Sequence, residues 1–285
     1  MAAGAAALAA ARWWYPRALE RATAARLPVG PDGIILGAEP IALDGPTDRG
    51  VLLLHGFGDT TQSVQALACA LHARGYTVRA PLLAGHGRTL AEFAAGDAEA
   101  WMTGARVALR ALRDRCSQLF LAGQSLGGAL AALLVSESPE LHVRALALLV
   151  PYLEMPPAVR AIAPLSPLLQ AAIPYVTTHD ERSIHDAEAR ARSLSFNATT
   201  PHLAGELLAL SGRARAVLPS IAVPTLYLQA RSDNRIAPAV AERAFAALGA
   251  AEKQLVWLDG CGHVIAADSS RDRVAELVTA WFDAR

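Results

Sequence analysis

The sequence predicts an α/β domain on a mostly parallel sheet, with a helical insertion and an extra helix at the N-terminus. Three observations carry this. Short continuous apolar runs such as Val51-Leu52-Leu53-Leu54 recur along the chain, and such runs suit strands buried on both faces. Segments with helical spacing separate them. The resulting alternation of strand and helix implies a parallel sheet with right-handed crossovers. The rhythm stops after Val150, where six prolines fall between Pro151 and Pro174.

The elements follow in order. Alanine-rich residues 2–26 favour a helix. Ile34 to Leu43 is broken by Gly37 and Pro40 and reads as an edge hairpin. The run 51–54 is a buried strand. Val64, Leu67, Ala68 and Leu71 place a helix over 62–74, closed by Gly75. Strands at 76–80, 119–122 and 145–150 alternate with helices at 98–115 and 126–136. Between Val150 and about Arg215 there is no strand pattern, only short helices. The sheet resumes at 225–229, followed by a helix at 238–248, a strand at 254–258 and a last helix at 271–284. The expected domains are an extension at 1–30, a core of 31–151 with 216–285, and a helical insertion at 152–215, which the resemblance given below makes a cap.

Composition limits the function classes. The chain has 285 residues, of which 53% are hydrophobic and 18% charged, which excludes a disordered protein. Lys+Arg and Asp+Glu are both 26, so no net charge draws the chain to nucleic acid or anionic lipid. Cys69, Cys116 and Cys261 are few, distant and odd in number, which suits reduced thiols in a cytoplasmic protein rather than a disulfide framework. Residues 2–11 lack a charged start for a signal peptide and are too short to span a bilayer. Trp13, Trp14 and Tyr15 beside arginines leave weak contact with a membrane surface as an alternative to simple packing. His179 and His185 have no ligand-rich neighbours, and no phosphate-binding loop is present, so neither a metal nor another cofactor is expected. The sequence gives no oligomeric state.

The most specific feature is Gly123-Gln124-Ser125-Leu126-Gly127-Gly128. It fits G-x-S-x-G between a buried strand and an apolar helix, where a serine nucleophile sits on a strained turn. A serine hydroxyl needs an adjacent base, and in such folds the order is Ser, acid, His. His263 in a Gly-rich loop after the strand 254–258 suits the base. His179, His185 and His202 fall in the insertion and suit it less. Asp233, just after the strand 225–229, is the expected acid, with Asp259 as rival and Asp268 read as a helix cap. The Phe57 and Leu126 N–H groups are the expected oxyanion donors. Gly56 and Gly58 are expected to turn the Phe57 N–H inward. His55 is read as structural.

These residues resemble the α/β-hydrolase superfamily, in its bacterial carboxylesterase and monoacylglycerol-lipase branch. The resemblance runs from Ile34 to the C-terminus. It rests on Leu52-Leu53-Leu54-His55-Gly56-Phe57-Gly58, Ala80-Pro81-Leu82 with Gly85-His86-Gly87, Gly123 to Gly128, Ser232-Asp233-Asn234-Arg235-Ile236 and Gly262-His263-Val264-Ile265. It implies a serine hydrolase acting on a small-molecule ester or acylglycerol, without cofactor, through Ser125, His263 and Asp233. It implies a structural role for His86 and an acyl-binding cap face, with Ala161, Ile162, Leu165, Leu168, Leu169 and Ile173 available. A serine at 125 disfavours relatives with an aspartate nucleophile. Thioesterase and acyltransferase chemistry on the same triad stay open, as does a ligand-binding protein on the same scaffold.

Overall fold

The computed structural model describes residues 2–285, with side chains described from Trp14 onward except at Ala158. Helix α1 (Ala2–Arg26) leads into β1 (Ile41–Leu43), β2 (Arg49–Leu54), α2 (Gln65–Ala73), β3 (Thr77–Ala80), α3 (Leu90–Ala94), α4 (Ala98–Arg113), β4 (Gln118–Gln124), α5 (Leu126–Glu137) and β5 (Val143–Leu149). The insertion carries α6 (Pro157–Ile162), α7 (Ser166–Ala172), β6 (Val176–Thr177), α8 (Ala187–Arg192), β7 (Ala198–Thr199) and α9 (Pro201–Ala216). The chain closes with β8 (Thr225–Ala230), α10 (Pro238–Ala247), β9 (Lys253–Leu258) and α11 (Arg271–Asp283).

Seven strands form one sheet in the order β1-β3-β2-β4-β5-β8-β9. Only β1 runs antiparallel, on β3. The expected α/β class and parallel sheet are therefore present. The expected hairpin over 34–43 is not: Ile35 makes a lone bridge to Val29, and β1 pairs with β3 instead. Gly37 and Pro40 break the chain too closely for two paired strands. The insertion also holds a short antiparallel ribbon of β6 and β7, which two-residue strands cannot announce by periodicity.

Alternation along the strands fills two cores. Leu52, Leu54, Leu121, Leu146 and Leu148 face α4, α5 and α9. Val51, Leu53, Phe120, Ala147 and Leu149 face α2 and α11, where Leu67, Leu71, Val274, Val278 and Phe282 are buried. Helix α9 packs on α5 and α4, burying Leu203, Leu207 and Leu210, and thereby seats the insertion on the core. The later part of α1 is tied down as well. Arg26 donates to the Ser195 carbonyl at 2.6 Å, and the Tyr175 hydroxyl donates to Glu20 at 2.7 Å. No helix among the described residues is long and apolar enough to cross a membrane.

Candidate active site

Ser125 stands between β4 and α5 with φ 55 and ψ −114, a left-handed backbone costly for a residue with a Cβ. The turn is held open by close approach. A Cβ on Gly123 would overlap the Gly127 carbonyl, and one on Gly127 would overlap the Leu54 carbonyl oxygen. The Ser125 N–H donates to the Leu149 carbonyl at 2.9 Å, and its own carbonyl accepts the Tyr152 N–H at 3.0 Å. Val150, next to that contact, has φ 42, rare for a β-branched residue. Backbone strain therefore collects at the serine and at the end of β5 beside it.

The structure brings together the three residues expected from the sequence. His263 Nε2 lies 2.8 Å from Ser125 Oγ. His263 Nδ1 lies 3.0 and 2.9 Å from the two Asp233 carboxylate oxygens. This geometry calls for a proton on Nδ1, leaving Nε2 to accept from the serine. Burial alone would push the Asp233 carboxyl up. The His263 charge and hydrogen bond, with the Arg235 and Ile236 N–H groups, outweigh it and hold the carboxyl below its ordinary value. Asp259, the rival acid, is exposed and faces Arg231 at 3.5 Å. Of the rival bases, His202 Nε2 lies 3.1 Å from the Gly96 carbonyl, and His179 is an exposed residue of the pocket wall.

Two neighbours went unread in the sequence, Gln229 and Asp59, and a third, Asp268, reads there as a helix cap. Gln229 Nε2 donates to Asp233 Oδ2 at 2.9 Å; its only signal was a polar residue ending an apolar strand. Asp268 is not a helix cap, because α11 starts after Ser270. Its carboxylate accepts four backbone N–H groups, from Gly262, His185, Asp186 and Ser269. Asp59 is buried beside the pocket. Burial pushes its carboxyl up to about 6, against the Ser63 and Thr60 hydrogen bonds and the His263 charge.

The Phe57 and Leu126 N–H groups donate to no protein acceptor among the described residues. Leu126 opens α5, where free N–H groups favour negative charge. Gly58 has φ 65 and turns the loop, whereas a Cβ on Gly56 would meet nothing closer than 3.6 Å. Of the two expected loop glycines, only Gly58 is thus required by its backbone. His55 is fully buried, with Nε2 accepting the Leu83 N–H at 3.1 Å. Burial drives its pKa down to about 4. His86 packs against Phe93, His55 and Trp101.

Ser125 and His263 open into a cavity of about 430 Å³, within the range of small-molecule sites. Residues 45–270 match the family described as serine aminopeptidase, S33. The chain belongs to this S33 family. Two curated relatives cover most of it. A thermostable monoacylglycerol lipase from Bacillus sp. (strain H-257) is 26% identical over 87% of this chain and 96% of its own. A carboxylesterase from Bacillus subtilis (strain 168) is 29% identical over 83% and 93%. Among solved structures, one from work on LipS and LipT, two metagenome-derived lipolytic enzymes, matches this S33 chain with a TM-score of 0.81. It is 30% identical and covers 88% of this chain and 100% of its own. The Paleococcus ferrophilus monoacylglycerol lipase, at 20% identity over 86% and 98% with a TM-score of 0.74, shares the α/β-hydrolase fold.

Proposed function

We propose that this S33-family protein hydrolyses carboxylic esters through Ser125, His263 and Asp233. The observation that carries the reading is the continuous chain from Ser125 Oγ to His263 at 2.8 Å and on to Asp233 at 2.9 Å, at the wall of a cavity. Ser125 Oγ attacks the ester carbonyl while His263 Nε2 takes its proton. Asp233 holds the imidazole tautomer and stabilises its cation. The Phe57 and Leu126 N–H groups stabilise the oxyanion. His263 returns the proton to the departing alcohol, and water, deprotonated by the same base, releases the acid.

Acylglycerol-type esters, with the acyl chain on an apolar wall, are the favoured substrate type within that activity. Met155, Val159, Ile162, Leu169, Ile173 and Leu207 give the cavity an apolar wall suited to an acyl chain. Leu165 and Leu168 are exposed beside it, which favours contact with an acylglycerol surface. The two curated relatives, a monoacylglycerol lipase and a carboxylesterase, support the same class. Cys69, Cys116 and Cys261 are all unpaired, which suits a cytoplasmic location. A fluorophosphonate probe tests the assignment. Mass spectrometry of the labelled protein should find one adduct, on the peptide carrying Ser125, and none in Ser125→Ala. An adduct elsewhere, or undiminished labelling of the variant, would remove Ser125 from the role.

A further inference from the structure

We propose that the pocket prefers esters whose alcohol part carries an anionic group, a carboxylate or a phosphate, and that Arg235 and Arg190 bind it. The proposal rests on the ester-hydrolase reading and names the substrate class for it.

Both arginines line the cavity that holds Ser125 and His263, and both are half-buried. Backbone carbonyls orient them. Arg235 Nη2 donates to the Thr178 carbonyl at 2.6 Å, and Arg190 Nη1 donates to the Ile184 carbonyl at 2.9 Å and the His185 carbonyl at 3.3 Å. A carbonyl fixes a guanidinium without neutralising it. Among the described residues, no carboxylate oxygen lies within 4.0 Å of a guanidinium nitrogen of either arginine; Asp233 touches Arg235 only through the Arg235 backbone N–H, at 2.7 Å.

The carboxylates of the site are engaged elsewhere. Asp180, also in the cavity wall, is matched by Arg182 through Nε at 3.0 Å and Nη2 at 2.8 Å. Asp59 accepts the Thr60 N–H at 2.8 Å. Asp233 faces His263. Two positive charges therefore border an apolar cavity without a counter-ion in contact. An arginine does not lose its proton, and its planar fork matches a carboxylate or phosphate with two parallel hydrogen bonds. A partly desolvated setting strengthens that attraction over its value in water.

The position assigns the anion to the alcohol side. Arg235 lies two residues after Asp233, on the loop that orients His263. His263 returns its proton to the leaving alcohol, so that part of the substrate departs past the same loop. The acyl chain takes the apolar wall from α6, α7 and α9.

The test compares three octanoyl esters: neutral monooctanoylglycerol, octanoylglycerol phosphate and O-octanoyl lactate. Wild type should favour at least one anionic ester over the neutral one in kcat/KM by about tenfold, the range of a single charge-assisted contact. The phosphate and lactate arms distinguish the two anions. Arg235→Gln should bring that ratio close to one, and Arg235→Lys should restore part of it. Binding is read without turnover by calorimetry of two non-hydrolysable ether analogues, octylglycerol phosphate and O-octyl lactate, on Ser125→Ala protein. At least one should bind, and adding Arg235→Gln should weaken it about tenfold. A ratio at or below one for both anions in wild type, or calorimetric affinities for both that ignore Arg235, overturns the anion site. Inertness toward all three esters together with p-nitrophenyl esters would overturn the hydrolase reading instead, and the calorimetric arm would still judge the arginines.

Discussion

Asp268 accepts the Gly262 N–H at 2.7 Å, and this bond anchors the loop residue just before His263. The same carboxylate holds the His185 and Asp186 N–H groups of the insertion, so one side chain joins the histidine loop to the insertion. Oδ2 serves Gly262 and His185, while Oδ1 serves Asp186 and Ser269. Asp268→Asn would present an N–H donor to one of these pairs. Stability should fall by roughly 3 kcal/mol, the scale of charged hydrogen bonds lost in a buried site. Burial acts to raise the Asp268 carboxyl, but the four N–H groups win and hold it below its ordinary value. Its stabilising effect is therefore present above the unfolded carboxyl pKa and fades as pH falls through the folded one. Urea melts of wild type and Asp268→Asn should differ strongly at pH 7, and the difference should shrink as the pH is lowered below the unfolded carboxyl pKa.

Gln229 acts on Asp233 as a positioning residue. Replacing it by leucine removes the donor to Oδ2 at 2.9 Å while keeping similar bulk at a fully buried position. A lost hydrogen bond to a charged group is worth about 1.5–3 kcal/mol. Gln229→Leu should lower kcat about 10- to 100-fold, leave KM near wild type and shift the acid limb of the pH–rate profile. A change in KM alone would show that Gln229 shapes the pocket and leaves the carboxylate undisturbed.

Asp59 carries the opposite signature from Asp268. Burial raises its carboxyl to about 6, above the unfolded value of roughly 3.9. The folded state then holds the proton more tightly, and stability falls as pH rises between those values. Asp59→Asn should stabilise the protein at pH 8, by up to about 3 kcal/mol, and should do so hardly at all at pH 4. Thermal melts at the two pH values read the difference; an equal shift at both would place the effect in packing.

The approach of α5 to β2 leaves no room at Gly127, where a Cβ would overlap the Leu54 carbonyl oxygen. Gly127→Ala should cost about 3 kcal/mol or more as the helix is pushed off the strand. Gly104→Ala, at an open position within α4, should stabilise by a few tenths to about 1 kcal/mol. Denaturation midpoints of the pair separate backbone crowding from helix propensity.

The parts of the molecule legible in the sequence are those governed by short-range pattern. Buried strands such as 51–54 announce themselves by unbroken apolar runs, and Ser125 by glycines two residues away on each side. His263 and Asp233 were legible because each follows a strand that ends at the serine's edge of the sheet. Asp268 was not, because two of its four partners lie 83 and 82 residues away along the chain, and Gln229 was not, because its contact with Asp233 follows no local rule. The β6–β7 ribbon was hidden by its length, and β1 because its partner is β3 rather than its own neighbour. Nothing local in the sequence links Arg190 with Arg235; only the fold brings both to one cavity.

The proposed nucleophile is Ser125, which attacks an ester carbonyl. Hydrolysis of p-nitrophenyl esters from acetyl to palmitoyl, with wild type and Ser125→Ala side by side, tests it most directly. Wild type should turn over, with an optimum that reports the depth of the apolar wall, and the folded variant should fall to background. Turnover by Ser125→Ala at the wild-type rate, or folded wild-type protein inert on every ester of the series, would contradict it.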